Sequence, residues 1–159
     1  MVAHLIYIRA DLENITTLHI PQDHDWLLSF RDQNGDERRG VKVNATETQE
    51  IPSSRGSANL LLKFPSGNSP ATISVTAVKG VDGKYTKSGE FQAVLAVESR
   101  GAEPFEWKPT GFYLAETEDG QKFDSVDLID GDWCEFDEEA GVSVGVYNVE
   151  TKVEVYRGK

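Results

Sequence analysis

The chain has 159 residues, 38% of them hydrophobic, with 7 Phe, 5 Tyr and 3 Trp. That is enough apolar material for a packed core, and it excludes wholesale disorder. With 27 acidic and 16 basic residues the formal net charge is −11. Nucleic acid and anionic membranes are therefore poor partners, because both need clustered Lys and Arg.

In chain order, "MVAHLIYIRADLEN" predicts a first strand. It has no basic leader and no small-residue cleavage site after its apolar run, so a cytoplasmic protein is expected. "WLLSF" and "VKVNA" predict two strands around the loop "RDQNGDERRG", where Asn34–Gly35 is a type I′ turn pair. "NLLLKF", "TISVTAV", "FQAVLAV", "FYLAE" and "VSVGVYNVETKVEVY" follow, with turn pairs at Asp82–Gly83 and Asp119–Gly120. The period is two, and the strands are rich in β-branched and aromatic residues. One stretch, "SVDLIDGDWCEFDEEAG", is expected to hold a short helix. The class predicted is all-β, with about ten to twelve strands.

The order of elements repeats. "ADLENITTLHIPQDHDWLLSF" from Ala10 lies on "AVESRGAEPFEWKPTGFYLAE" from Ala96. "GVKVNATETQEIP" from Gly40 lies on "GQKFDSVDLIDGD" from Gly120, and "RGSANLLLKF" on "AGVSVGVYNV". An offset of this size suits a duplicated small β-domain. The expectation is two tandem pseudo-symmetric antiparallel sandwich- or barrel-like repeats, residues 1–88 and 89–159, packed into one compact unit. Each half alone is near the size where a core becomes marginal.

Few residues suggest chemistry. Asp32, Asn34 and Asp36 start a calcium-loop pattern, but Glu37 stands where glycine is needed and Val43 where the bidentate Glu belongs. His19 and His24, with Asp23 and Asp25, form a His–carboxylate cluster that lacks a third strong ligand nearby. Cys134, the only cysteine, is flanked by acids, which is the wrong environment for a nucleophile. No nucleophile elbow, phosphate loop or H-E-x-x-H motif occurs. The acids are concentrated in one place. Residues 116–139 hold 11 acidic residues and 1 basic, against 16 and 15 elsewhere, so this segment carries almost all the net charge. Aromatics interleave there, making Asp132, Trp133, Glu135, Phe136, Asp137 and Glu138 a candidate surface for a basic protein partner.

Four stretches in order, "ADLENIT", "RGSA", "RGAEPFEWKPTGFYLAE" and "DWCEFDEEAGVSVGVY", together with the overall length, resemble the eukaryotic CXXC-motif zinc-binding proteins. The resemblance implies an all-β intracellular protein with two similar halves and no established catalytic activity. It also implies two CxxC pairs holding one zinc. Here those positions are Asp32 and Gly35 in the first hairpin and Phe64 and Gly67 after "RGSA", so all four thiolates are replaced. No metal and no cofactor are expected. The expected function is a monomeric, non-enzymatic binding or adaptor protein. The alternative is a small-molecule carrier or enzyme with a pocket between the repeats, lined by Trp26, Trp107 or Trp133. A third is a structural subunit of a larger complex.

Overall fold

A computed structural model describes residues 2–52, 55–65, 67 and 69–157. Fifteen strands are formed among the described residues, and no helix. They are β1 (Val2–Glu13), β2 (Thr17–His19), β3 (Trp26–Arg31), β4 (Glu37–Val43), β5 (Gln49–Glu50), β6 (Ser57–Ala58), β7 (Leu60–Leu62) and β8 (Ala71–Val75). Then come β9 (Lys84–Tyr85), β10 (Gln92–Arg100), β11 (Glu103–Lys108), β12 (Phe112–Glu116), β13 (Lys122–Asp127), β14 (Trp133–Asp137) and β15 (Val142–Val155). The helix expected near residue 130 does not form. Its acids and apolar residues divide between β13, a turn at Asp130–Gly131, and β14, because Gly131 adopts a positive φ of 86° that ends any regular run.

The period-two pattern becomes buried faces. In β1, His4, Ile6, Ile8 and Ala10 point inward, and in β3 Trp26, Leu28 and Phe30 do the same. Ile73, Val97, Trp107, Tyr113, Val126, Leu128, Val144 and Val146 complete one continuous core. At about 25 cal/mol per Å² of apolar surface removed from water, this burial is the main stabilising term.

The largest sheet runs β14-β15-β1-β10-β8-β7. A second runs β11-β3-β4, a third β13-β12-β2-β9, and β5 pairs with β6. The two sequence segments are woven together. β1 lies between β10 and β15, β11 pairs with β3, and β12 pairs with β2. The boundary at residue 88 therefore divides no sheet from another. Reversing the six-strand order exchanges β1 with β10, β15 with β8 and β14 with β7. The same exchange turns β11-β3-β4 into β2-β12-β13, onto which β9 is added. In this arrangement β15 corresponds to β8, whereas the sequence comparison laid "AGVSVGVYNV" on the β7 segment.

The connector between the segments is anchored by Tyr85. It is fully buried, and its hydroxyl meets the Ala10 amide and carbonyl at 3.0 Å and the Lys87 and Glu90 carbonyls at 2.7 Å.

Candidate functional site

The β3–β4 hairpin is built around Asp32. Its carboxylate Oδ1 accepts the Asn34 and Asp36 amides at 3.0 and 2.9 Å, an Asx turn. The Asp32 amide donates to the Asp36 carbonyl at 2.9 Å, and the Gly35 amide to the Asp32 carbonyl at 3.0 Å. Gly35 takes φ 86°, a conformation that favours glycine. Asp32 is buried.

The β12–β13 hairpin is wired the same way. The Gln121 amide donates to Thr117 Oγ1 at 3.0 Å, the Thr117 amide to the Gln121 carbonyl at 2.9 Å, and the Gly120 amide to the Thr117 carbonyl at 3.0 Å. Gly120 also has φ 86°. Thr117 thus occupies the role of Asp32, its hydroxyl accepting one of the two kinds of amide bond that the carboxylate accepts. Nothing in the local sequence marks Thr117, since threonine is common in strands. Only the shared five-residue spacing to the next strand could have signalled it.

The other two positions of interest lie on the following loop. Phe64 is buried as part of the main core, and the Gly67 amide closes a turn onto the Phe64 carbonyl at 3.1 Å. Gly67 is exposed. Arg38 of β4 donates to the Lys63 carbonyl at 2.6 Å, so the two loops are joined by a side chain next to Phe64. Of the four residues, only Asp32 offers a side-chain donor atom for a metal. One of its oxygens already accepts two amides.

His19 and His24 go to different surroundings. His19 Nε2 lies 3.0 Å from Glu116 Oε1. His24 is buried against Trp26 and Tyr113, with ring centroids 5.3 and 5.0 Å away. Burial holds its pKa below the usual value despite Asp25 and Asp23. Among the described residues, no group of three or more His, Cys, Asp and Glu side chains converges as a metal site would require.

The acidic segment forms β13, β14 and their turns. Phe136 is 53% exposed and Ile129 47% exposed, while Trp133 is half-buried edge-on to Phe123 at 5.8 Å. Asp132, Glu135 and Glu138 are exposed. Asp137 is not. Its carboxylate accepts the Glu139 and Ala140 amides at 3.1 and 3.2 Å and shapes the β14–β15 turn, so it belongs to the scaffold. β14 is an edge strand, and its charges discourage indiscriminate pairing. Cys134 is exposed on its outer face. Beside it the Tyr147 ring covers Gly145 so closely that any side chain there would displace it. Tyr147 donates to Glu13 at 2.9 Å. That hydrogen bond, with some desolvation and the Glu13 charge, pushes the phenol up to about 12.

The three tryptophans do not line one pocket. Trp26 and Trp107 pack in the core with ring centroids 5.0 Å apart and planes tilted by 47°. Trp26 borders a cleft of about 470 Å³ lined by residues 19–22, 75–76, 81–84 and 94–96, among them His19, Asp82 and Lys84. Trp107 borders another of about 250 Å³. Trp133 lies on β14.

Comparison with known proteins adds a family. The family described as "CXXC motif containing zinc binding protein, eukaryotic" matches residues 5–154. A UPF0587 protein of Drosophila melanogaster is 31% identical over 157 residues, covering 96% of each chain. The CXXC motif containing zinc binding protein of Xenopus laevis is 30% identical, covering 94% of this chain and 96% of its own. Among solved structures, a hypothetical protein from Plasmodium falciparum superposes with a TM-score of 0.89 at 29% identity, over 97% of this chain and all of its own.

Proposed function

The chain belongs to the eukaryotic CXXC motif-containing zinc-binding family, and from that premise we propose that it is a non-enzymatic binding protein whose zinc knuckle has become a metal-free hairpin. The observation that carries this reading is the match between the two hairpins. Asp32 organises residues 32–36 with the same three kinds of hydrogen bond that Thr117 uses for residues 117–121. A loop already closed by its own side chain has no structural need of a metal. Zinc sites use three or four ligands in fixed geometry, and Phe64, Gly35 and Gly67 bring none. The residues present do not fit the ion.

The same reading places the partner surface on the acidic β13–β14 edge, with Phe136 as the apolar anchor and Asp132, Glu135 and Glu138 around it. A purely solubilising charge could be spread evenly, whereas clustering it costs self-repulsion. Aromatic anchors ringed by charge suit a basic protein partner. The single exposed thiol suits a reducing, cytosolic setting. The exchange symmetry of the strand order supports an internal duplication in which the second half lends β11 to the first half's small sheet and the first half lends β2 and β9 to the second's.

The test of the surface is Asp132→Asn with Glu135→Gln and Glu138→Gln. Asp132 also accepts the Asn148 amide at 2.8 Å, which Asn can preserve. The melting temperature should hold, while recovery of a native partner in affinity purification falls and its salt dependence flattens. Unchanged recovery in the triple variant would reduce this edge to a solvated face.

A second reading has one observation in its favour. The cleft beside Trp26, of about 470 Å³, has the size of a ligand pocket and draws its walls from both segments. A small-molecule carrier or enzyme would use it, with His19 and Lys84 as its polar contacts.

A further inference from the structure

β14 is the last strand of the six-stranded sheet, and only β15 pairs with it. Main-chain groups point alternately to the two sides of a strand, so every second residue of β14 faces away from β15. The register tells which. Phe136 lies opposite Ser143, and Cys134 opposite Gly145. The Ser143 carbonyl accepts the side-chain amide of Asn14, which follows β1, at 2.8 Å, so it points to the β1 side of β15. The Asp137 carbonyl, by contrast, is turned back to the Gly141 amide at 2.8 Å. The amides and carbonyls of Cys134 and Phe136 therefore face outward, along an edge where Cys134, Glu135 and Phe136 are all exposed.

The corresponding edge on the other side of the sheet is closed. The exchange that maps β15 onto β8 maps β14 onto β7. The Leu61 amide of β7 donates to Gln49 Oε1 at 3.3 Å, and Gln49 is held in the β5–β6 hairpin. Among the described residues, no hairpin covers β14 in the same way.

We propose that the protein takes its partner by strand addition, with an extended, basic segment of another protein pairing along β14. The proposal rests on the acidic edge being the partner surface, and adds how the partner binds. In such pairing, main-chain hydrogen bonds hold the segment and alternate side chains select it. Side chains opposite Cys134 and Phe136 share the face of the exposed Phe136 ring, so apolar residues suit them. The residues between fall beside Glu135, with exposed Asp132 and Glu138 just beyond the ends of the strand, so Lys or Arg suits them. Charge also excludes the other obvious occupant. A second copy docked symmetrically about the centre of β14 would set Glu135 against Glu135, and like charges directly opposite destabilise a strand pair. The acids that keep most strands off this edge leave a basic one as its match.

The test uses the full-length, ¹⁵N-labelled protein and a short synthetic peptide alternating Lys with Val, at constant ionic strength. Its pair is the same peptide with every Val amide N-methylated, which keeps the charge and side chains but removes the donors that would face β14. The unmethylated peptide should bind saturably and slow hydrogen exchange at the Cys134 and Phe136 amides about tenfold or more. The methylated peptide should bind about tenfold more weakly or worse, the loss of two main-chain hydrogen bonds. Cys134→Pro removes one outward amide at a position where an edge strand tolerates proline, and should weaken the unmethylated peptide by a similar factor. If that variant does not fold, the methylated peptide still decides. Equal affinity for the two peptides overturns strand addition while the acidic edge stands as a side-chain surface. Failure of the acidic-edge reading shows separately, as unchanged peptide affinity in the Asp132→Asn, Glu135→Gln, Glu138→Gln variant. No saturable binding at millimolar peptide also overturns the proposal. So does protection of the Cys134 and Phe136 amides that rises with protein concentration alone, which would place a second copy on this edge.

Discussion

Phe64→Ala should lower the unfolding free energy by about 3–5 kcal/mol, the usual cost of emptying a buried aromatic site. Phe64 is 8% exposed and packs with the main core. The effect is large against the ~5–15 kcal/mol that holds a typical domain together. The position gives the experiment its meaning. In the family pattern a thiolate here would face a metal, and its stability would come from coordination. An aromatic ring replaces that with burial, a different force acting on the same loop. Phe64→Leu, which keeps most of the apolar volume, should lose only about 1 kcal/mol. The check is urea denaturation followed by tryptophan fluorescence. A loss under about 1 kcal/mol for Phe64→Ala would mean that the loop takes no stability from this ring.

Asp32→Ala should cost about 2 kcal/mol, since hydrogen bonds to a charged group contribute roughly 1.5–3 kcal/mol and two amides lose their acceptor together. Asp32→Asn keeps an acceptor oxygen and should lose about half as much. Thr117→Ala, the matching change in the other hairpin, removes a neutral acceptor of the Gln121 amide and should cost about 1 kcal/mol. The ordering Asp32→Ala, then Asp32→Asn and Thr117→Ala, read from denaturation midpoints, tests the equivalence of the hairpins. A neutral Asp32→Ala would leave the loop without its proposed fastening.

The fold class was legible because strand alternation is a strong signal in segments such as "HLIYIRA", and Asn34–Gly35 and Asp119–Gly120 do lie in hairpin turns, although only the glycine of each pair takes a positive φ, so neither is the type I′ turn expected. The stretch around Trp133 misled toward helix because acids and apolar residues at mixed spacing look amphipathic at either period. Gly131 and the pairing of β14 with β15 decide the matter, and that pairing depends on distant sequence. Nor could the weaving of the two segments be read. Local pattern says which residues face inward, but not that β11 pairs with β3 and β12 with β2.

The site residues divide in the same way. Absent thiols are visible in the sequence, so the replacement at Asp32, Gly35, Phe64 and Gly67 could be located once the family pattern was laid on the chain. What Asp32 does instead is hydrogen-bond geometry, which composition does not encode. Asp137 looked like one more acid in an acidic surface, and its role as a turn acceptor emerges only with the Glu139 and Ala140 amides in place.

The most direct test of the metal-free hairpin is zinc content by elemental analysis of protein purified without chelator, paired with thermal denaturation with and without EDTA. A structural zinc contributes on the order of 10 kcal/mol to the folding of a small metal site, so its removal could not pass unseen. The account predicts zinc far below stoichiometric and a melting temperature that ignores the chelator. Stoichiometric zinc that survives dialysis, with a melting temperature that falls in EDTA, would contradict it.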